Sequence, residues 1–110
     1  MHFNFTLLIA LLLHWSSVSS EENINELYEG LNNELIIQMS SNNYQKAAHA
    51  AEQLLKLDPS DTVAYLSLRL SIKLSGQSCA EYHCESFEPY LSQSSPEEKR
   101  IFALAKSLND

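Results

Sequence analysis

Glycine and proline are scarce in this sequence, with only two glycines and three prolines among its 110 residues. Both residue types mark turns, and patterns typical of strands are also few, so the composition favours an all-α protein. The sequence also lacks a glycine-rich phosphate loop, a nucleophile elbow around a serine, and the CxxC and HExxH patterns. These absences argue against the common enzyme classes, and we expect no catalysis, no cofactor and no metal.

Charged side chains are missing from the first twenty residues, which contain no Lys, Arg, Asp or Glu. Residues 3–13 are almost wholly apolar, and the small residues before Glu21 suit a cleavage site. The apolar run is shorter than the ~20 residues that a membrane-spanning helix needs. We therefore expect residues 1–20 to be a cleaved signal peptide, with an uncleaved anchor as the alternative. Residues 21–110 are then one secreted or periplasmic domain.

The predicted mature domain carries all seven basic and all fourteen acidic residues of the chain, which gives it a formal net charge of −7. An acidic surface repels nucleic acid and anionic membranes, so we expect neither as a partner. A basic or neutral protein is compatible with this charge. So is a simple role of the charge in keeping a small secreted domain soluble.

Five helices are expected after the predicted signal peptide. Their expected limits are about 23–39, 43–57, 62–75 and 78–88, and the fifth begins at Pro96. Between the second and third helices, Asp58-Pro59-Ser60 supplies a stop and an N-cap. Ser95 is the N-cap of the fifth helix, and the fourth is expected to end before Pro89. The residues expected to face inward are Ile24, Leu27, Tyr28, Leu31 and Leu35 in the first helix, Tyr44, Ala47, Ala51, Leu54 and Leu55 in the second, and Ile101, Leu104, Ala105 and Leu108 in the fifth.

The third helix is predicted against its local pattern. Apolar and polar residues alternate from Leu66 to Ser75, which is typical of a half-buried strand. We expect a helix because the apolar residues are leucines and one isoleucine, not a β-branched run, and because no partner strand is visible. The helix then has two apolar stripes on nearly opposite sides, Leu66/Leu70/Leu74 and Leu68/Ile72, and it ends at Gly76. Such a helix must be covered on two sides, as in the middle of a stack.

The segment from Asn43 to Pro59 combines small alanines, leucines three and four residues apart, and a final Asp-Pro. It resembles the second helix of a tetratricopeptide (TPR) repeat. The residues that carry the resemblance are Tyr44, Ala47, Ala48, Leu55, Asp58 and Pro59, followed by Tyr65, Leu68 and Gly76 in the next repeat. The resemblance covers about residues 28–77. The first helix of the first repeat departs from it, and so does the chain beyond Gly76.

This resemblance implies an antiparallel helix array, a fragment of a right-handed solenoid with one good repeat, one degenerate repeat and a terminal helix as a cap. An unrelated small helical bundle is the alternative. The family binds proteins in a concave groove lined by the first helix of each repeat. The matching positions here are Asn32, Asn33, Ile36, Leu66, Ser67, Leu70 and Lys73. The asparagines are suited to a peptide backbone and Lys73 to a carboxylate, whereas Ile36, Leu66 and Leu70 are equally compatible with a core.

Both cysteines lie in one short segment, Cys79 to Cys84, with His83 beside the second. An oxidising compartment and an even number of cysteines favour a disulfide. A continuous helix opposes it, because five residues rise ~7.5 Å, beyond the Cα separation of ~7 Å that a disulfide tolerates. A disulfide therefore requires a break in the helix. Unpaired structural cysteines and a metal or thiol-redox module are the alternatives, and a homodimer through uncovered leucines is a further functional alternative.

Overall fold

The computed structural model describes residues 23–109. Within this range the chain forms five α-helices and one short 3-10 helix, and no strand. The elements are α1 (residues 23–40), α2 (Tyr44–Leu57), α3 (Thr62–Ser75), the 3-10 helix (Cys79–Tyr82), α4 (Cys84–Leu91) and α5 (Pro96–Ser107). The prediction of an all-α fold is confirmed. The predicted signal peptide lies outside the described residues, and none of the described helices is long and apolar enough to cross a membrane.

The core is centred on the contact between α2 and α3, the most extensively packed pair among the helices α2 to α5. Ala47 and Ala51 of α2 are completely buried, and side chains this small allow neighbouring helices to approach α2 closely. Leu68 and Ile72 of α3 are buried as well, so the alternating segment is a helix whose second stripe faces the core. The main core residues of the pair are Ala47, Ala48, Ala50, Ala51, Leu54, Leu55, Ala64, Tyr65, Leu68 and Ile72.

Both ends of α3 are capped. The Asp61 carboxylate accepts a hydrogen bond from the backbone N–H of Ala64 at 3.0 Å, so Asp61 is the N-cap and not Ser60 as expected. The Ser60 hydroxyl instead donates to Asp58 at 2.7 Å within the turn. At the other end Gly76 adopts φ = 74°, a conformation that glycine adopts without strain, so the expected cap is confirmed.

Helix α1 lies beside α3 and runs in the same direction. The Tyr28 hydroxyl donates to the Asp61 carboxylate at the start of both helices, 33 residues apart in sequence. Near the C-terminal ends of the two helices, the Ser71 hydroxyl donates to the Met39 sulfur at 3.2 Å, 32 residues apart in sequence. Leu35 is buried, but the expectation that Ile24 and Leu27 face inward is wrong, because the side of α1 that meets α2 and α3 is centred on Tyr28, Leu35 and Met39.

Helix α5 packs on the opposite flank of α3. The rings of Tyr65 and Phe102 lie 5.3 Å apart between their centroids. Ser95 caps α5 as expected, since its hydroxyl oxygen accepts from the Glu98 N–H at 3.3 Å. Ala105 is buried, whereas Leu104 is exposed, so its predicted burial is wrong. The helix is turned so that Phe102 and Ala105 meet α3, and Leu104 then points away.

The fourth helix differs most from its prediction. In place of one helix over about 78–88, the chain forms the 3-10 helix, turns at His83, which has φ = 57°, and begins α4 only at Cys84. Pro89 therefore lies inside α4 and does not follow its end. Proline has no N–H, so the carbonyl of Glu85 loses a helical partner, but Glu85 is exposed and water can replace it.

Arg69 joins α3 to the C-terminal part of the fold, a role that its sequence position did not indicate. It is almost completely buried, and its Nε donates to the Tyr65 hydroxyl at 2.9 Å. Its Nη2 lies 3.7 Å from the Glu88 carboxylate of α4, and its Nη1 donates to Asn109 after α5 at 3.4 Å. Lys106 approaches the same Glu88 oxygen at 3.8 Å. A single side chain of α3 thus contacts the polar groups of two other elements.

Replacing Arg69 with methionine should lower the free energy of unfolding by about 2 kcal/mol, because a buried hydrogen-bonding group and the buried partner of Glu88 are lost. Urea denaturation followed by circular dichroism measures this change. Lys106→Met is the matched control, since its ammonium pairs with the same carboxylate but is 45% exposed. We expect the control to cost less than about 1 kcal/mol. Equal losses would contradict the special role of the buried guanidinium.

The hydrogen bond to Asp61 raises the pKa of Tyr28 from 10.0 to about 12, and burial adds to the effect. Folded protein therefore holds this proton more tightly than unfolded protein. The resulting contribution to stability is complete below pH 10 and should disappear as the pH rises to about 12. Titration of tyrosinate absorbance checks this, and Tyr28→Phe should remove the highest transition. Asp61→Asn should lower that transition while its amide oxygen still caps α3. An unchanged titration in Asp61→Asn would disprove the assigned cause.

Candidate functional site

One side of α3 is incompletely covered by the other described helices. Leu66 and Leu70 are half-buried, and Leu74 is 49% exposed. Val63 is 63% exposed and lies on the same side of the helix, one turn before Ser67 and two turns before Leu70. This side faces away from Leu68 and Ile72, whose stripe is buried in the core. We call it the α3 face, and it consists of Val63, Leu66, Ser67, Leu70 and Leu74.

Helix α1 borders the α3 face with the three residues predicted for a groove. Asn32 is half-buried, Asn33 is exposed, and Ile36 is 62% exposed. All three lie between the two contacts that align α1 with α3, and are therefore level with the middle of α3. Helical spacing places Asn33 and Ile36 on the side of α1 away from Leu31, which faces α2. The structure thus brings the predicted α1 and α3 residues to neighbouring surfaces.

The chemistry available on this surface is limited to binding contacts. Lys73 is exposed in the last turn of α3 and makes no ion pair with any described residue. The Ser67 hydroxyl already donates to the Val63 carbonyl at 2.9 Å, so it offers only its lone pairs to a ligand. The seven predicted residues include no carboxylate, histidine or thiol. They provide apolar area, two amides, one hydroxyl and one positive charge.

Sequence reasoning overlooked Val63, although its spacing from Leu70 and Leu74 could have indicated it. It also overlooked a groove between α1 and α2, on the side of α1 opposite to Asn33 and Ile36. This groove has a volume of about 540 Å³, and its lining residues are Leu31, Glu34, Gln45, Lys46, His49, Ala50 and Tyr82. Tyr82 comes from the 3-10 helix, far away in the sequence, so no local pattern could have predicted its contribution.

Cys79 and Cys84 form a disulfide. Their Cα atoms are 5.4 Å apart, which is possible because the chain leaves the α-helical path between them and turns at His83. The inference that this bond requires a broken helix is therefore confirmed. Both sulfurs are used in the bond, and no group of three potential metal ligands occurs among residues 23–109. The metal alternative consequently loses its two cysteine ligands.

The disulfide loop rests on α2 through a small charged cluster. The side chain of Glu52 is only 9% exposed, and its carboxylate lies 3.7 Å from Nδ1 of His83 and 3.6 Å from the Lys56 ammonium. Tyr82 is buried beside this cluster, and its hydroxyl donates to Gln77 at 2.6 Å. Burial raises the pKa of Tyr82. These contacts hold the loop against α2, where Tyr82 forms one wall of the groove.

Removing the disulfide with Cys79→Ala and Cys84→Ala together should cost about 2 kcal/mol, the chain-entropy value for so short a loop. Denaturant unfolding of the variant and of the oxidised protein measures the difference. In the oxidised protein, hydrogen exchange should be faster across residues 79–84 than in α2 or α3, because the helix is interrupted there. Strong protection across this segment, with the bond verified by mass spectrometry, would contradict the observed break.

Comparison with known proteins supplies no relative that could identify this site. The chain matches no family model, no curated protein and no solved structure.

Proposed function

We propose that this protein is a secreted or periplasmic adaptor with a TPR-like helix array, and that it binds a partner protein without catalysing a reaction. The observation that carries the proposal is the α3 face, an apolar strip that lies beside α1 and stays partly exposed. The apolar leader in the sequence supports export. The disulfide agrees with it, because such bonds persist in oxidising compartments.

The parallel alignment of alternate helices supports the repeat. Contacts between α1 and α3 join residues 33 and 32 positions apart, close to the period of about 34 residues in a TPR array. Helix α5 lies on the other flank of α3. This is the place of the first helix of a third repeat, or of a terminal helix that caps the array. The broken segment from the 3-10 helix through α4 then corresponds to the second helix of a degenerate repeat.

The proposed ligand is a peptide or helix of the partner with apolar side chains. Covering Leu66, Leu70 and Leu74 would remove their remaining exposed area from water, and burying a leucine completely is worth about 1.5–3 kcal/mol. Asn33 would hydrogen-bond the backbone of the ligand, and Lys73 would meet a carboxylate at its edge. This arrangement requires no movement of the core.

A thiol-redox module is the second candidate, because the disulfide borders an open depression. This depression has a volume of about 320 Å³, and Cys79, His83 and Cys84 are among its lining residues. A dithiol reductant would enter here to reach the bond. Insulin reduction assays with the purified protein separate the two candidates, since an adaptor should show no catalysis of thiol exchange.

Leu70→Ser should weaken binding of a partner captured with the mature domain by tenfold or more, which corresponds to about 1.4 kcal/mol. The affinity and the circular dichroism spectrum should be measured on the same sample. Leu57→Ser is the matched control, since Leu57 is a partly exposed leucine at the end of α2. Lost helicity in Leu70→Ser would assign Leu70 to the core. Unchanged affinity with intact helicity would remove the α3 face from the proposed function.

A further inference from the structure

The side of α1 that faces away from the core carries exposed apolar residues. Leu27 is 51% exposed and Ile37 is 55% exposed. Together with Gly30 and Glu34 they follow the spacing i, i+3, i+7, i+10, which aligns residues along one side of a helix. The buried side of α1 is centred on Tyr28, Leu35 and Met39, so this row lies outside it, and Glu34 stands at the border of the groove between α1 and α2. We call Leu27, Gly30, Glu34 and Ile37 the outer edge of α1.

The charge on α1 is negative, and no ion pair within the described chain balances it, although Lys46 lines the same groove as Glu34. No Lys or Arg precedes Lys46 in the whole sequence. Glu26, Glu29 and Glu34 are exposed, and none of them pairs with a cation among residues 23–109. Elsewhere Lys56, Arg69 and Lys106 each approach a carboxylate. The outer edge and its neighbour Glu26 therefore combine apolar side chains with carboxylates that no ion pair neutralises, and Glu34 accepts one hydrogen bond from the Gln38 amide at 2.7 Å.

Gly30 lies in the middle of this edge, and no contact with another residue in the range 23–109 accounts for it. A glycine inside a helix costs about 0.5–1 kcal/mol relative to alanine. A Cβ atom added at Gly30 would meet no atom within 4 Å, so the fold has room for a side chain there. A second helix, in contrast, can approach the backbone of α1 most closely at a residue without a side chain.

We propose that the outer edge of α1 docks an amphipathic helix of a partner whose apolar stripe is flanked by Lys or Arg. Its apolar residues would pack on Leu27 and Ile37 around Gly30, and its cations would meet Glu26 beside this row and Glu34 within it. A helix fits better than an extended peptide because the seam follows helical spacing. This surface lies apart from the α3 face, so the inference does not depend on the proposed function.

The negative charge of α1 disfavours two other occupants of the outer edge, a second copy of the chain and an anionic membrane. In a symmetric dimer through this edge, Glu26 and Glu34 of one copy would lie near the same carboxylates of the other, and like charges repel. An anionic membrane surface would be repelled for the same reason. The carboxylates of Glu26 and Glu34 thus favour a cationic partner.

The test uses a designed, fluorescein-labelled helical peptide about three heptads long, with leucine and alanine at the core positions and lysine at the flanking positions. Fluorescence anisotropy measures its affinity for the purified protein. The same peptide with glutamate at the flanking positions should bind at least tenfold more weakly. Failure of the lysine peptide to bind, or equal affinity of the two peptides, would overturn the proposal.

Three variants locate the binding. The double variant E26Q/E34Q should weaken binding about tenfold, while E85Q/E97Q, which removes the same charge from two other exposed positions, should change it less than about twofold. Gly30→Leu should keep or raise thermal stability, because leucine is a better helix former than glycine, but it should block the close approach and weaken binding at least tenfold. Leu70→Ser should leave binding of the peptide unchanged, which separates this inference from the α3 face.

Two further outcomes would overturn the proposal. If E85Q/E97Q weakens binding as much as E26Q/E34Q, the peptide responds only to net charge and no site exists on α1. If sedimentation shows a dimer that Gly30→Leu dissociates, the edge is occupied by a second copy of the chain. Unchanged peptide affinity in Gly30→Leu likewise rejects docking at this edge.

Discussion

The close contact between α2 and α3 is the constraint on which the rest of the structure depends. Ala47 and Ala51 of α2 are completely buried and have side chains small enough for neighbouring helices to come near, and Leu68 and Ile72 of α3 are buried in the same core. This contact decides which way α3 is turned about its axis. Once that orientation is set, the flanks of α3 are available to α1 and α5, and one remaining side is left facing outward.

The position of α3 also explains why its unusual sequence is a helix. An amphipathic surface helix needs one apolar stripe, but α3 has two, and each meets a different environment. Leu68 and Ile72 are buried in the core, while Leu66, Leu70 and Leu74 are covered only in part. Arg69 lies between the stripes and is buried, because Glu88 and the Tyr65 hydroxyl receive its guanidinium. Polar contacts and apolar packing thus hold the same helix.

The structural role of the disulfide loop follows from its position against α2. Turning the chain at His83 shortens the helical path and brings Cys79 close enough to Cys84 to bond. The same turn places Tyr82 against α2 and His83 beside the buried Glu52 carboxylate. A continuous helix would have carried these side chains elsewhere. The covalent bond, the interrupted helix and the wall of the groove between α1 and α2 are therefore parts of one arrangement.

The sequence alone determined the helical class, the limits of α2 and α3, and the caps at Gly76 and Ser95, because these depend on side chains and backbone within a few residues of each other. Only the tertiary structure decided that Arg69 and Phe102 pack inward while Leu27 and Leu104 are exposed. The choice depends on how each helix is rotated against partners far away in sequence, and a periodic pattern marks a stripe without saying what covers it.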